Sequence, residues 1–167
     1  MWRPILKTLI FTVVVPGTVT VLVPRWLLSS ARPVDLPPAL RFVGWPVLCL
    51  GVSVYLWCAW DFAVAGRGTP APIDPPKTLV ARGLYRHVRN PMYLGILSIL
   101  VAEAFLFRSR ALLEYAATVF GFFFMFVVFY EEPALQQQFG GAYERYRRQV
   151  PRWIPRLRKA PEAGDES

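Results

Sequence analysis

Four apolar runs, residues 5–28, 40–60, 91–107 and 111–130, leave this chain few ways to fold. Each is 17 to 24 residues long, and a helix needs about 20 apolar residues to cross the hydrocarbon core of a bilayer. Within that core each backbone N–H and C=O must be satisfied inside the segment, which selects helices. Composition agrees: 54% of the 167 residues are hydrophobic and 15% aromatic, and the mean hydropathy of +0.35 is high for a soluble domain. The expected fold class is all-α, a polytopic integral membrane protein with about four transmembrane helices and a C-terminal amphipathic helical segment. Pro16-Gly17 is expected to kink the first span. Trp45, Trp57 and Trp60 lie toward the ends of the second, where indoles favour the membrane interface. Only "RSR" separates the last two runs, which predicts a tight helical hairpin.

The net charge of +8 raises the question of nucleic acid. The basic residues fall between the apolar runs, however, as they do in the cytoplasmic loops of membrane proteins. Four spans place the N-terminus, the second loop and the tail on one side, with fourteen Lys and Arg against five on the other. The expectation is a multi-pass protein with both termini cytoplasmic, membrane lipids as partners and no nucleic acid. Glu103 and Glu114 are expected to be neutralised by Arg108 and Arg110. Cys49 and Cys58 fall on opposite faces of one helix, which argues against a disulfide. No Cys-x-x-Cys or His-x-x-x-His pair suggests a metal site, and no cleavable signal peptide is evident. The organisation expected is an N-terminal two-span region (1–60), a core (61–157) holding a cytosolic loop, the hairpin and a C-terminal helix, and a disordered tail (158–167). The loop segment "GRGTPAPIDPPKT" reads as irregular surface.

The polar chemistry crowds onto "GLYRHVRNPMYLG", residues 83–95, at the threshold of the third run. Asn90-Pro91 is a helix start, with Asn a preferred N-cap and Pro a preferred first residue. A helix N-terminus offers free N–H groups to a carboxylate or phosphate. Arg86 and Arg89 add cationic donors, or else simply touch lipid phosphates. Gly95 lets a ligand or another helix approach closely. His87, the chain's one histidine, reads as a surface residue rather than a catalyst.

The fourth run ends in "YEEPALQQQFGGAYERYRRQVPRWIP". Glu131 and Glu132 stand on the cationic side, either as a solvated interface pair or as a site for an ammonium or ribose hydroxyls. Adjacent helical residues point about 100° apart, so one acid can face a site while the other makes structural contacts. Leu135, Phe139, Tyr143, Tyr146 and Val150 then recur with a helical period that Gly140-Gly141 interrupts. This basic amphipathic segment either lies on the bilayer or folds back over residues 83–95, where Tyr143 and Tyr146 would line an adenine pocket.

Taken together, "GLYRHVRNPMYLG", the hairpin and "EEPALQQQFGGAYERYRRQVPRWIP" resemble the isoprenylcysteine carboxyl methyltransferase family, which is related to the membrane phospholipid N-methyltransferases. The resemblance covers residues 77–157, about half the chain. It implies a helical membrane enzyme that uses S-adenosylmethionine, enclosed at the cytosolic face by the loop, the last span's end and the C-terminal helix. By motif, Tyr85, Arg86, Arg89, Asn90, Tyr93 and Gly95 match the first block, and Glu131, Glu132, Tyr143 and Tyr146 the second; all ten are expected to bind cofactor. Arg89, Asn90, Glu131 and Glu132 are the expected catalytic residues. Two departures stand out. The family often has His where this chain has Asn90. Eukaryotic members that methylate prenylcysteine tend to carry Arg just before the acidic pair, where this chain has "FFFMFVVFY", so a prenylcysteine carboxylate is a weaker fit.

The resulting expectation is methyl transfer to a lipophilic acceptor, an isoprenylcysteine carboxylate-like group or a lipid, arriving from the bilayer near Phe122, Phe123, Phe126 and Phe129. Those rings are equally consistent with a lipid-facing surface. Such an enzyme works mainly by alignment, worth up to about 7–11 kcal/mol; Arg86, Arg89 and the third helix's N-terminus would hold the methionine carboxylate, Glu131 or Glu132 the ammonium or ribose. The competing classes are an NADPH-dependent membrane reductase, though no Gly-rich dinucleotide fingerprint is present, and a small non-enzymatic membrane protein.

Overall fold

The computed structural model describes residues 14–30, 36–61, 79 and 81–156. Among them there is no strand. Four long helices, α1 (Val14–Ser29), α2 (Leu40–Asp61), α3 (Pro91–Phe107) and α4 (Arg110–Phe139), are followed by a short α5 (Gly141–Gln149), and a 3-10 turn, Gly83–Arg86, precedes α3. Helices α2 and α4 are long and apolar enough to cross a membrane; α1 and α3 are apolar but shorter. The irregular loop segment "GRGTPAPIDPPKT", the start of the first run and the tail at 158–167 lie outside the described residues.

Helices α2 and α3 run antiparallel along a seam of glycines. A Cβ on Gly51 would lie 2.9 Å from the Gly95 carbonyl, and one on Gly95 would lie 3.0 Å from the Gly51 carbonyl. Small residues permit this approach, and dispersion between the two backbones then holds the pair. Gly95 therefore serves helix packing. Below the seam, Tyr55, Cys58, Met92, Ile96, Leu100, Ala116, Val119 and Phe123 close a core shared by α2, α3 and α4. The outward faces remain apolar: Phe42 is 83% exposed, Phe122 66% and Phe129 69%. A soluble surface rarely carries so extensive an apolar girdle.

The hairpin forms as the sequence predicts. Arg108 ends α3 in the left-handed conformation, with φ at 54°, and Ser109 caps α4 by accepting from the Leu112 N–H. Arg110 pairs with Glu114 at 2.9 Å. Arg108 instead donates to the Leu36 carbonyl, and the buried Glu103 Oε2 has no hydrogen-bond partner. Among the described residues no ion pair joins Glu103 to either hairpin arginine, so the expected neutralisation is met for Glu114 and not for Glu103. Cys49 is exposed and Cys58 buried, both as free thiols, as their half-turn offset requires.

Two further expectations change. Helix α1 continues through Pro16-Gly17, with Gly17 in helical conformation, and the irregularity is a π-turn, Thr18–Leu22, directly after it. Helix α4 runs to Phe139 rather than stopping near residue 130, because a second π-turn, Val127–Glu131, admits Pro133 without ending the helix. It stops at Gly140, whose φ of 51° favours glycine.

Candidate functional site

One end of the bundle gathers the close of α2, the 3-10 turn, the start of α3, the second π-turn and α5. Arg82 pairs with the buried Asp61 at 3.1 Å, and Gly83, at φ 56°, passes so close to Asp61 that a Cβ would lie 2.5 Å from Oδ2. This fixes the 3-10 turn and sets Tyr85 into the core, where burial pushes its hydroxyl well above the ordinary tyrosine range. Tyr146 on α5 donates to the Tyr85 carbonyl at 2.8 Å.

Residues 150–156 then run back across the loop as a strap. The Arg89 N–H donates to the Pro151 carbonyl at 2.9 Å and the Arg156 N–H to the His87 carbonyl at 3.0 Å. His87 donates from Nδ1 to the Arg156 carbonyl at 2.7 Å, since a carbonyl can only accept. Asn90 holds the N-cap position of α3, but its side chain makes no cap. Its amide donates to the Arg152 carbonyl at 3.1 Å. The expected capping role is thus replaced by a tether to the strap. His87, which reads as a bystander in sequence, is a second tether.

The two acids separate. Glu132 accepts from Arg89 Nη1 at 2.8 Å and takes both oxygens to Arg152, at 2.6 Å from Nε and 2.9 Å from Nη2. This bidentate contact holds the Arg152 guanidinium proton more firmly than usual. Arg89 Nη1 also lies 3.4 Å from the Tyr143 hydroxyl. Tyr143 is 2% exposed, and burial, with Glu132 nearby, raises its hydroxyl above the ordinary range. Glu131 instead accepts from the Tyr93 hydroxyl at 2.8 Å and faces a cavity of about 90 Å³. That is several times the room one water needs.

The cavity wall holds Tyr85, Arg89, Asn90, Tyr93 and Glu131 at its polar side, and Val15, Pro16, Val19, Met92, Ile96 and Phe123 at its apolar side. Among the expected site residues, Arg86, Gly95, Glu132, Tyr143 and Tyr146 are outside that wall. Glu132 and Tyr143 support Arg89 from behind, and Tyr146 supports Tyr85. Phe123 is the one ring of the expected acceptor groove that enters the wall. Arg152 escaped notice in the sequence because it sits in "VPRWIP", a stretch without helical period. The α1 residues escaped notice because nothing local distinguishes a valine at a cavity from one in a core. Two polar groups here are incompletely met: Arg89 Nε is buried without a hydrogen-bond partner, and Glu131, which accepts from Tyr93, has no ion pair among the described residues. Among the described residues no cluster of three His, Cys, Asp or Glu side chains is placed to hold a metal.

Comparison with known proteins gives these observations a family. Residues 40–142 match the family model described as phospholipid methyltransferase. A stretch of 94 residues is 35% identical to "Methanethiol S-methyltransferase 2" of Bradyrhizobium diazoefficiens, covering 56% of this chain and 34% of that protein. The chain thus spans about a third of that relative's length. The family match includes α2, the loop, the hairpin and the acidic pair, and so contains most of the cavity wall. The chain belongs to the phospholipid methyltransferase family.

Proposed function

We propose that this chain is a multi-pass membrane methyltransferase that takes its methyl group from S-adenosylmethionine and delivers it to a lipophilic acceptor. The observation that carries this reading is the unmet pair in the cavity wall. Arg89 Nε–H is buried and lacks an acceptor; Glu131 is a carboxylate whose partner is the neutral Tyr93 hydroxyl. A buried donor or charge left unmet is costly, and an amino-acid zwitterion satisfies both groups at once. The methionine end of S-adenosylmethionine is such a zwitterion. The start of α3 adds N–H groups without a side-chain cap, which suit the carboxylate. Arg89 and the α3 start would hold that carboxylate, and Glu131 the ammonium.

When bound, the cofactor supplies a sulfonium methyl as electrophile. The chain contributes alignment and exclusion of water, for which the strap and the apolar wall of Met92, Ile96 and Phe123 are suited. The acceptor would come from the bilayer side of α4. "FFFMFVVFY" offers no cation to a carboxylate, and the named activity of the Bradyrhizobium relative is on a thiol. Both favour a thiol or another neutral acceptor over a carboxylate. The basic loops support a four-span topology with both termini and the site at the cytoplasmic face.

Calorimetry with S-adenosylmethionine in detergent tests the reading. Wild type is expected to bind, and Glu131→Gln and Arg89→Ala to bind at least about tenfold more weakly, each losing a charged hydrogen bond. Wild type that binds NADPH and not S-adenosylmethionine refutes the reading. So do both variants binding as wild type does. Radiolabelled methyl transfer into a membrane extract, followed by analysis of the labelled product, identifies the acceptor.

A further inference from the structure

The two π-turns obey one sequence rule. "TVTVLVP" (18–24) and "VVFYEEP" (127–133) each place a proline two residues after the turn. In both, the residue before the proline donates its N–H five residues back: Val23 to the Thr18 carbonyl and Glu132 to the Val127 carbonyl. The next carbonyl along is then left without a helical donor, because the N–H that would reach it belongs to proline. In α1 this is the Val19 carbonyl, and the Tyr115 hydroxyl of α4 fills it at 3.1 Å.

The consequence is a change of phase. An α-helix turns about 100° per residue, so positions eight apart differ by about 80°. A π-turn absorbs one residue, and the same positions then differ by about 20° in the other sense. Phe123 and Glu131 are eight apart, and both line the cavity. Pro16 and Pro24 are eight apart across the first π-turn, and both are buried. Glu132, nine residues from Phe123, would stand about 180° away in a plain helix, on the outer face. With one residue absorbed it stands about 80° away, where it reaches Arg89 and Arg152.

We propose that the Val127–Glu131 π-turn is a phase corrector for the site. Pro133 and the Val127 carbonyl act as positioning groups that turn Glu131 into the cavity and bring Glu132 off the outer face. The proposal rests on the cofactor reading above for its assay. A different test separates the two. In an ordinary helix, deleting or inserting one residue rotates everything beyond it by about 100° either way, and the two changes are equally harmful. A phase corrector makes them unequal, because deletion within the turn leaves a plain helix of the correct phase.

Three proteins are compared with wild type: Pro133→Ala, Pro133→Ala lacking Val128, and Pro133→Ala with one alanine inserted after Val128. Each is assayed for S-adenosylmethionine binding by calorimetry and for thermal unfolding in detergent. The deletion protein is expected to keep its affinity within about threefold and its Tm at or above that of Pro133→Ala, while the insertion protein loses about tenfold or more. A deletion protein that binds as poorly as the insertion protein, or fails to fold, overturns the proposal, as does an insertion protein that binds like wild type. Wild type that does not bind at all refutes the cofactor reading instead. In that case the unequal Tm of the deletion and insertion proteins still decides the phase argument.

Discussion

Substituting Glu132 and Glu131 separately by glutamine should split stability from binding. Glu132 accepts three charge-assisted hydrogen bonds, at 2.8, 2.6 and 2.9 Å. Each is worth about 1.5–3 kcal/mol where both partners are buried. Glutamine keeps one acceptor and points an NH2 donor at a guanidinium, so Arg89, with 10% of its side chain exposed, is left buried and poorly paired. Arg152 is 32% exposed and can turn to solvent, which reduces its share of the cost. The net loss should be about 3 kcal/mol, at the lower end for a broken buried pair. For a chain of this size that is a fall in Tm of about 6–12 °C.

Glu131→Gln should behave differently. Glu131 holds one hydrogen bond, from the Tyr93 hydroxyl at 2.8 Å, and glutamine preserves an acceptor for it. Removing a buried carboxylate with no cation beside it costs the fold little, so Tm should move by less than about 2 °C. Affinity for S-adenosylmethionine should nevertheless fall about tenfold or more. Thermal unfolding by intrinsic fluorescence in detergent, read beside calorimetry, checks both arms. Equal Tm losses in the two variants, or a larger loss in Glu131→Gln, would show that the acids are not divided between support and site.

Gly95→Ala puts a Cβ 3.0 Å from the Gly51 carbonyl and from the Tyr55 N. It should cost about 1–3 kcal/mol as backbone forced apart, visible as a lower Tm. Tyr93→Phe removes the hydrogen-bond donor to Glu131; it should weaken S-adenosylmethionine binding in calorimetry and, by leaving that carboxyl unsatisfied at a cost of about 1–3 kcal/mol, also lower Tm by at least about 2 °C. Alkaline titration should open the α5 end first. Burial raises Tyr85, Tyr143 and Tyr146 above their unfolded value near 10. Their contribution is therefore complete below about pH 10 and is lost as pH climbs through the raised folded values. Tyr146→Phe should flatten that loss, as followed by tyrosinate absorbance together with unfolding.

The apolar periods carried the helices. Helix α3 falls at 91–107 as the sequence predicts, and α2 differs by a single residue, because apolar length, a start signal at Asn90-Pro91 and a turn at Arg108-Ser109 are all local. The π-turns were not legible. A proline inside an apolar run reads as a kink or an end, and only the three-dimensional ladder shows that one residue has been absorbed. The candidate site was legible in part, as the lining of one cavity. Arg89, Asn90, Tyr93 and Glu131 share a cavity wall because the motif spacing reflects real proximity. The functions of Glu132, Tyr143 and Asn90 in holding neighbours depend on where the strap returns, and residues 150–156 have no period to announce it. The α1 wall of Val15, Pro16 and Val19 depends on packing between distant segments, which a pattern of valines does not encode.

Charge balance explains how the polar end can be buried and still suit the ligand proposed above. Arg89 and Arg152 carry two positive charges, and Glu131 and Glu132 carry two negative ones when ionised. The four sum to zero, which limits the long-range cost of burying them. The balance is uneven in space, since Glu132 takes both cations and Glu131 takes none. What remains open at the cavity is therefore a donor at Arg89 Nε and, with Glu131 ionised, a negative charge opposite it. A purely anionic ligand would meet the donor and be repelled by Glu131; a purely cationic one would leave the donor unmet. A zwitterion adds no net charge and satisfies both. This distinguishes the methionine end of S-adenosylmethionine from the phosphates of a nicotinamide dinucleotide. It predicts that free methionine, although weak, should compete with S-adenosylmethionine in calorimetry, while inorganic phosphate at the same concentration and ionic strength should not. Competition by phosphate and none by methionine would remove the zwitterion argument and return the reductase reading to first place.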